Sequence, residues 1–202
     1  MFSAACDRNK EPILGQLRRW LPPRATVLEV GSGTGQHARH FCASIEAMRW
    51  QPTELSPNLE LLRSLLLEPP RPDGLLEPLA LDARQSPWPT GPFEAVFTAN
   101  TAHIMPWEAV LALLAGAARV LAPQGLLLLY GPFSVGGIHT ASSNAAFDAE
   151  LRARDPSMGV RDGLAIKAEA AGLGLNLAED VDLPANNRML IFVQTSLGIL
   201  EP

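Results

Sequence analysis

The stretch TVLEVGSGTG, residues 26–35, decides the fold of this chain. Its first half, Thr26–Val30, is short and mostly apolar, which predicts a buried strand, and the glycine-rich GSGTG follows at once. A helix is predicted from about Gln36, because apolar residues recur there at helical spacing. Glycines allow a tight turn and close approach of a ligand to the backbone, while the N-terminus of the helix offers unpaired N–H groups. A strand, a glycine loop and a helix in this order predict a nucleotide-type binding site.

Strands and amphipathic helices alternate over most of the chain. The apolar stretches that we predict to be strands after the first are residues 50–53, 79–81, 93–99 and 126–130. Apolar strands separated by amphipathic helices indicate a parallel sheet that is covered on both faces. Two late strands, at residues 174–181 and 189–195, have no helix between them and therefore predict an antiparallel pair. The predicted fold is α/β and Rossmann-like, a mostly parallel seven-stranded sheet with an antiparallel C-terminal edge hairpin and helices on both faces, as in class I methyltransferases.

We expect the whole chain, residues 1–202, to form one domain, with two segments placed around the sheet. Residues 1–24 are predicted to be an N-terminal cap helix, with Pro12 in its first turn. Residues 132–160 are predicted to form a loop and helix insertion over the site, and Asp162 is expected to cap the helix that follows. No Pro-rich or charged stretch is long enough to separate two domains.

Composition argues against several functional classes. Hydrophobic residues make up 47% of the chain, which supports a packed globule. The net charge is −5, which argues against a nucleic-acid partner. The two cysteines, Cys6 and Cys42, show no metal-ligand spacing, so no metal site is predicted. The N-terminus lacks a signal-peptide pattern, and no apolar run approaches the roughly 18 residues of a membrane span. We therefore expect a cytoplasmic protein without a membrane partner, and its oligomeric state stays open.

The spacing of the glycine loop favours S-adenosylmethionine over a dinucleotide. The dinucleotide pattern GxGxxG requires a glycine where this chain has Gln36, so the loop suits a ligand without a pyrophosphate. Glu29 could meet the ammonium group of such a ligand, Glu54 its ribose hydroxyls and Asp82 its adenine amine. Each carboxylate could instead be a helix cap or a turn residue. The predicted cofactor-binding residues are Glu29, Gly31, Ser32, Gly33, Thr34, Gly35, Glu54, Leu55, Asp82, Ala83 and Asn100.

The chain resembles a methyltransferase-like family, long catalogued as a domain of unknown function, within the class I S-adenosylmethionine-dependent methyltransferase superfamily. The resemblance covers nearly the whole chain. It rests on RNKEPI at 8–13, GSGTGQH at 31–37, NTAHI at 100–104, YGPF at 130–133, HTASSN at 139–144, FD at 147–148, RD at 161–162 and PANN at 184–187. It implies the class I fold and S-adenosylmethionine as the cofactor, and it leaves the methyl acceptor open. Gly31 and Glu54 depart mildly from the alanine or serine and the aspartate that are common in relatives.

Polar residues on the loops after the fourth and fifth strands are the candidates for work on the acceptor. Asn100, His103 and Tyr130 are predicted to be catalytic. His103 has an ordinary pKa near 6.5 and could act as a base, or it could only cap the helix that begins near Pro106. Tyr130 could equally be a packed core residue. The predicted substrate-binding residues are Arg8, Asn9, Lys10, His139, Asn144, Arg161 and Asn186.

The functional hypothesis is S-adenosylmethionine-dependent methyl transfer to a small molecule or a protein side chain. One alternative is a module that binds the cofactor without catalysis and acts through a partner protein. Another is a nicotinamide-dependent oxidoreductase, against which Gln36 counts. The sequence does not identify the acceptor, and a general base is needed only if that acceptor must lose a proton.

Overall fold

Helices and strands alternate through the computed structural model, which describes residues 2–195. The helices are α1 (Ala4–Trp20), α2 (Gln36–Ser44), α3 (Ser56–Leu67), α4 (Trp107–Val120), α5 (Ser142–Arg154) and α6 (Gly163–Gly172). The strands are β1 (Thr26–Val30), β2 (Arg49–Glu54), β3 (Leu79–Ala80), β4 (Phe93–Ala99), β5 (Leu121–Gly131), β6 (Phe133–Val135), β7 (Ile138–His139), β8 (Arg161–Asp162), β9 (Leu175–Leu183) and β10 (Asn187–Gln194). The strand at 93–99 begins and ends where the sequence predicts it.

The main sheet has the strand order β3-β2-β1-β4-β5-β10-β9 and seven strands within residues 2–195. The first five strands of the chain are parallel, and β10 runs antiparallel to both β5 and β9. The predicted fold, including the antiparallel edge hairpin, is confirmed. The strand order reverses between β1 and β4, and ligands of such sheets bind outside the carboxyl ends of the strands at this switch point.

Each face of the main sheet is covered by its own set of helices, because side chains alternate along a strand. On β5, Leu127 and Leu129 pack with apolar residues of α4 and α6. Their neighbours Leu126 and Leu128 point to the other face and pack with α1, α2 and α3. Both clusters are buried, so the sheet is a rigid platform for groups at its carboxyl edge.

The first helix begins earlier than its proline suggests. Ser3 is the N-cap, and its hydroxyl accepts a hydrogen bond from the backbone N–H of Cys6. Pro12 therefore lies inside the helix, and the prediction that it occupies the first turn is wrong. The capping serine decides the start, even though a proline inside a helix removes one backbone donor and crowds the preceding turn. Asn9 is buried in the helix and is not an N-cap.

The C-terminal third contains a small second sheet that the sequence did not predict. Strand β6 pairs antiparallel with β7 and parallel with β8, and α5 lies between β7 and β8 in the chain. Asp162 caps α6 as predicted, with its carboxylate accepting a hydrogen bond from the N–H of Leu164. No helix within residues 2–195 has the length and apolar character needed to cross a membrane.

Candidate active site

A cavity of about 1100 Å³ opens at the carboxyl edge of the main sheet. Its floor is formed by the segments that follow β1, β2, β3 and β4 and by the end of β5, and its walls include residues of α1 and α5. The predicted site residues that line it are Arg8, Asn9, Gly31, Ser32, Gly33, Thr34, Glu54, Leu55, Asp82, Ala83, Asn100, His103, Tyr130 and Asn144. The cavity therefore gathers groups from both ends of the chain at the strand-order switch.

Of the three glycines in the loop, one leaves open space beside the backbone on the side of the cavity. Gly31, Gly33 and Gly35 all have positive φ, at 75°, 55° and 71°. A side chain at Gly31 would meet Thr101 at 2.6 Å, and one at Gly35 would meet Leu66 at 2.5 Å. A side chain at Gly33 would meet nothing within 4 Å, because this residue borders the open space of the cavity. Gly33 thus leaves room for a ligand, while the other two glycines let the loop pack closely.

Two carboxylates line the cavity next to the loop. Glu54 is buried, and its Oε2 accepts a hydrogen bond of 2.8 Å from the N–H of Gly33 while its Oε1 accepts one of 2.8 Å from the N–H of Leu55. Asp82 accepts two hydrogen bonds from the guanidinium of Arg84, which lower the pKa of Asp82. Both carboxylates end or follow neighbouring strands, as the sequence predicts for ribose and adenine contacts.

Glu29 lies behind the loop and does not line the cavity. Its Oε2 accepts hydrogen bonds from the hydroxyl of Ser32 at 2.7 Å and from the indole N–H of Trp50 at 2.9 Å. Burial raises the pKa of Glu29 to about 7. Gly35 is also outside the lining, where it is the N-cap of α2. These two predicted cofactor residues therefore shape the loop from behind.

The segment after β4 brings Asn100 and His103 to the cavity. Asn100 has φ of 60°, a left-handed conformation that asparagine tolerates better than most residues, and its N–H donates to the carbonyl of Tyr130 at 2.9 Å. His103 is buried and packs edge-on against Phe147, with 5.0 Å between ring centroids. Burial lowers the pKa of His103 to about 4, and the nearby charge of Arg161 acts in the same direction. The imidazole of His103 is therefore neutral at pH 7.

A buried polar group joins the cap helix to the cavity floor. The Nε2 of His37 and the Oδ1 of Asn9 are 2.7 Å apart, and both side chains are buried. Burial raises the pKa of Tyr130, and this effect is opposed by a hydrogen bond with Asn9 and by the charge of Arg8. His37 lines the cavity and was not among the predicted site residues. Its position depends on α1 folding over α2, which no local pattern in the sequence reveals.

Four predicted substrate residues lie outside the cavity lining, and other groups engage them. Lys10 pairs with Asp7 at 2.5 Å, and His139 is 3.5 Å from Asp148. Asn186 donates a hydrogen bond of 3.1 Å to the hydroxyl of Ser143.

The fourth of these residues, Arg161, holds a loop of the cavity in place. Its guanidinium donates to the backbone carbonyls of Ala102, Met105 and Ser157. The first two carbonyls flank His103 in the chain, so Arg161 supports the loop that carries this histidine. The predicted role of Arg161 in substrate binding does not fit a guanidinium that is already bound to three carbonyls and lies outside the cavity lining.

Fold and cavity together define an α/β protein with the architecture of the class I methyltransferases. The chain belongs to the family described as Protein of unknown function (DUF938), whose family model matches residues 1–194.

Solved structures with the same fold include several methyltransferases. An O-methyltransferase family protein from Burkholderia thailandensis matches with a TM-score of 0.80 and 15% identity, over 95% of this chain and 58% of that one. Human N-acetylserotonin methyltransferase in complex with SAM has a TM-score of 0.78 and 12% identity, over 95% and 53%. CalO1, a methyltransferase in calicheamicin biosynthesis solved in its SAH-bound form, has a TM-score of 0.74 and 17% identity, over 93% and 54%. The chain spans little more than half the length of these proteins, and the likeness is one of fold.

Proposed function

We propose that this protein is an S-adenosylmethionine-dependent methyltransferase that acts on a small-molecule acceptor. The observation that carries the proposal is the opening at Gly33, where the glycine loop faces a large cavity beside the carboxylate of Glu54. Structures with the same fold that hold SAM or SAH support the choice of cofactor. The walls that α1 and α5 contribute to the cavity favour a small acceptor over a protein side chain.

The residues at the carboxyl edge fit this cofactor. Glu54 keeps free lone pairs after accepting its two backbone hydrogen bonds, so it can accept the ribose hydroxyls. Asp82 and Ala83 lie where the adenine would bind, and Leu55 offers an exposed apolar side chain beside them. Gly31, Ser32, Thr34 and Asn100 would hold the amino-acid end. The carboxylate of Glu54, which lies beside the glycine loop, suits a sulfonium cation better than a diphosphate.

The chemistry that S-adenosylmethionine supplies when bound is an electrophilic methyl group on a cationic sulfur. The task of the protein is then to align the acceptor and to exclude water. Residues of α1 and α5 form walls that serve the second purpose. Asn100, His103 and Tyr130 provide polar atoms around the remaining space, and the neutral imidazole of His103 can take a proton from the acceptor.

The buried position of His103 limits which acceptors it can help. Because the pKa of His103 is lowered to about 4, its imidazole is a weak base and cannot efficiently deprotonate an aliphatic alcohol. Phenols, carboxylic acids and uncharged amines need less help from a base. An acceptor of one of these three classes fits a site whose buried histidine is a weak base.

Calorimetric titration with S-adenosylhomocysteine tests the cofactor assignment. We expect the wild type to bind it and Gly33→Val to lose at least about tenfold in affinity, because the valine side chain would occupy the ligand's space. Gly137→Val is a matched control, since Gly137 also has positive φ (78°) and open space around it but lies outside the cavity. Equal affinity of Gly33→Val and the wild type would remove the proposal's main support.

A further inference from the structure

The cap helix α1 presents one face to the cavity. The residues at positions i, i+3, i+4 and i+7 of one helix face all line it, namely Ala5, Arg8, Asn9 and Pro12. Lys10 lies on the same helix but is outside the lining and pairs with Asp7 at 2.5 Å. The helix therefore presents the positive charge of Arg8 to the cavity, while that of Lys10 is neutralised outside it.

Arg8 differs from the other charged residues of the lining in having no partner among residues 2–195. Among the described residues, the lining contains two arginines and two carboxylates. Arg84 is bound to Asp82 at 2.8 Å, and Glu54 accepts hydrogen bonds from two backbone N–H groups and from the side-chain amide of Asn58. Within residues 2–195, Arg8 forms neither an ion pair nor a side-chain hydrogen bond, and its side chain is exposed at the cavity mouth. The cavity thus has one cation whose charge nothing in the described chain neutralises.

The charge of Arg8 acts at the end of β5. Burial raises the pKa of Tyr130, and the positive charge of Arg8 opposes this effect, so the guanidinium is within electrostatic range of the Tyr130 hydroxyl. Asn9, the next residue of α1, also opposes the rise in the pKa of Tyr130, and it lines the cavity together with Arg8 and Tyr130. An amide, a hydroxyl and a guanidinium therefore converge on one part of the cavity wall.

We propose that Arg8 is an anion-binding residue of this cavity and that its ligand is a carboxylate. A guanidinium presents two parallel N–H donors that match the two oxygens of a carboxylate, and such charge-assisted pairs are stronger than neutral hydrogen bonds. Two molecules could bring the carboxylate, namely the amino-acid part of the cofactor or an acidic acceptor. The inference deepens the proposed methyltransferase function and rests on it for the nature of these two sources.

Binding experiments with paired ligands test the inference and distinguish the sources. S-adenosylhomocysteine carries a carboxylate, whereas 5′-methylthioadenosine keeps the adenosyl group and the sulfur and lacks the amino-acid part. If the cofactor supplies the carboxylate, Arg8→Gln binds S-adenosylhomocysteine at least about tenfold more weakly and 5′-methylthioadenosine within about twofold of the wild type. Lys10→Gln removes the same charge from the same helix outside the cavity, and we expect it to behave as the wild type.

The second arm uses benzoate as the carboxylate probe and benzamide as its uncharged counterpart. If the acceptor supplies the carboxylate, Arg8→Gln binds both adenosyl compounds normally, but loses at least about tenfold in affinity for benzoate and keeps its affinity for benzamide. The inference is overturned if Arg8→Gln matches the wild type with S-adenosylhomocysteine and no benzoate binding depends on Arg8.

Failure of the proposed function has a different signature. If the protein does not bind this cofactor, the wild type will bind neither adenosyl compound. Benzoate is then titrated against the protein without any other ligand. Binding of benzoate that is lost in Arg8→Gln would support the carboxylate site independently of the cofactor. Absence of such binding would overturn the inference. Thermal unfolding of Arg8→Gln and Lys10→Gln checks that both variants fold, which we expect because neither side chain is buried.

Discussion

Replacing Glu29 by glutamine tests whether this carboxyl group is protonated in the folded protein at neutral pH. Burial raises the pKa of Glu29 from 4.5 to about 7. A carboxyl group whose pKa is higher in the folded than in the unfolded state contributes stability that is fully present below pH 4.5 and is lost as the pH rises through 7. Glutamine has the shape of the protonated acid, and its amide oxygen can accept the bonds from Ser32 and Trp50.

The size of the effect follows from the same pKa values. Each pH unit between 4.5 and 7 changes the free energy of unfolding by about 1.4 kcal/mol, so the whole interval amounts to about 3 kcal/mol. The difference in the free energy of unfolding between Glu29→Gln and the wild type is therefore expected to shift by about 3 kcal/mol in favour of the variant as the pH rises from 4.5 to 8.5. His37 and His103 act in the opposite direction, because their lowered pKa values reduce stability as the pH falls below 6.5, but they do so equally in both proteins.

Urea unfolding followed by tryptophan fluorescence, at several pH values between 4.5 and 8.5, measures this difference. Glu60→Gln is the control, because Glu60 is on the surface and its replacement is expected to leave the pH dependence unchanged. A difference between Glu29→Gln and the wild type that stays constant with pH would mean that Glu29 is already ionised in the folded protein at pH 5. The conclusion that burial raises the pKa of Glu29 would then be refuted.

Two further substitutions separate chemistry from folding. His103→Ala is expected to lower turnover at least about tenfold while S-adenosylhomocysteine affinity stays within about threefold, and an equal loss of both would contradict a role at the acceptor. Gly35→Ala is expected to lower the free energy of unfolding by about 2 kcal/mol, because its positive φ is costly for alanine and its Cβ would meet Leu66 at 2.5 Å. Gly172→Ala has open space around its Cβ and serves as the control, and an equal effect of both glycine substitutions in urea unfolding would count against the packing argument.

The parts of the structure that follow from periodicity were predictable from the sequence. The strand at 93–99 and the cap at Asp162 lie where local patterns place them, since burial of one face and capping act over a few residues. Glu54 and Asp82 were predictable as neighbours because parallel strands end at the same edge of a sheet. The start of α1 was not predictable in this way, because the helix begins at the Ser3 cap and not near Pro12.

Other features depend on contacts between distant parts of the chain. The strands of the second sheet are only two or three residues long, too short for a periodic pattern to show. The pairing of His37 with Asn9 spans 28 residues and forms because α1 packs on α2. Arg161 looked like a ligand-binding cation in the sequence, but the carbonyls that engage it come from a loop more than 50 residues away.

Two of the predicted site residues, Glu29 and Arg161, lie outside the cavity lining and hold the loops that form it. Glu29 holds Ser32 and Trp50, and so fixes the loop whose open side is Gly33. Arg161 does the same for the loop of His103 by binding its carbonyls. A buried polar group without a hydrogen-bond partner costs about 1–3 kcal/mol. The two loops therefore need these hydrogen bonds to keep the conformation that leaves space for a ligand. A substitution that removes the supporting polar group, such as Glu29→Ala or Arg161→Ala, is therefore expected to lower stability together with binding, whereas substitution of Arg8, which has no partner in the described chain, is expected to change binding alone.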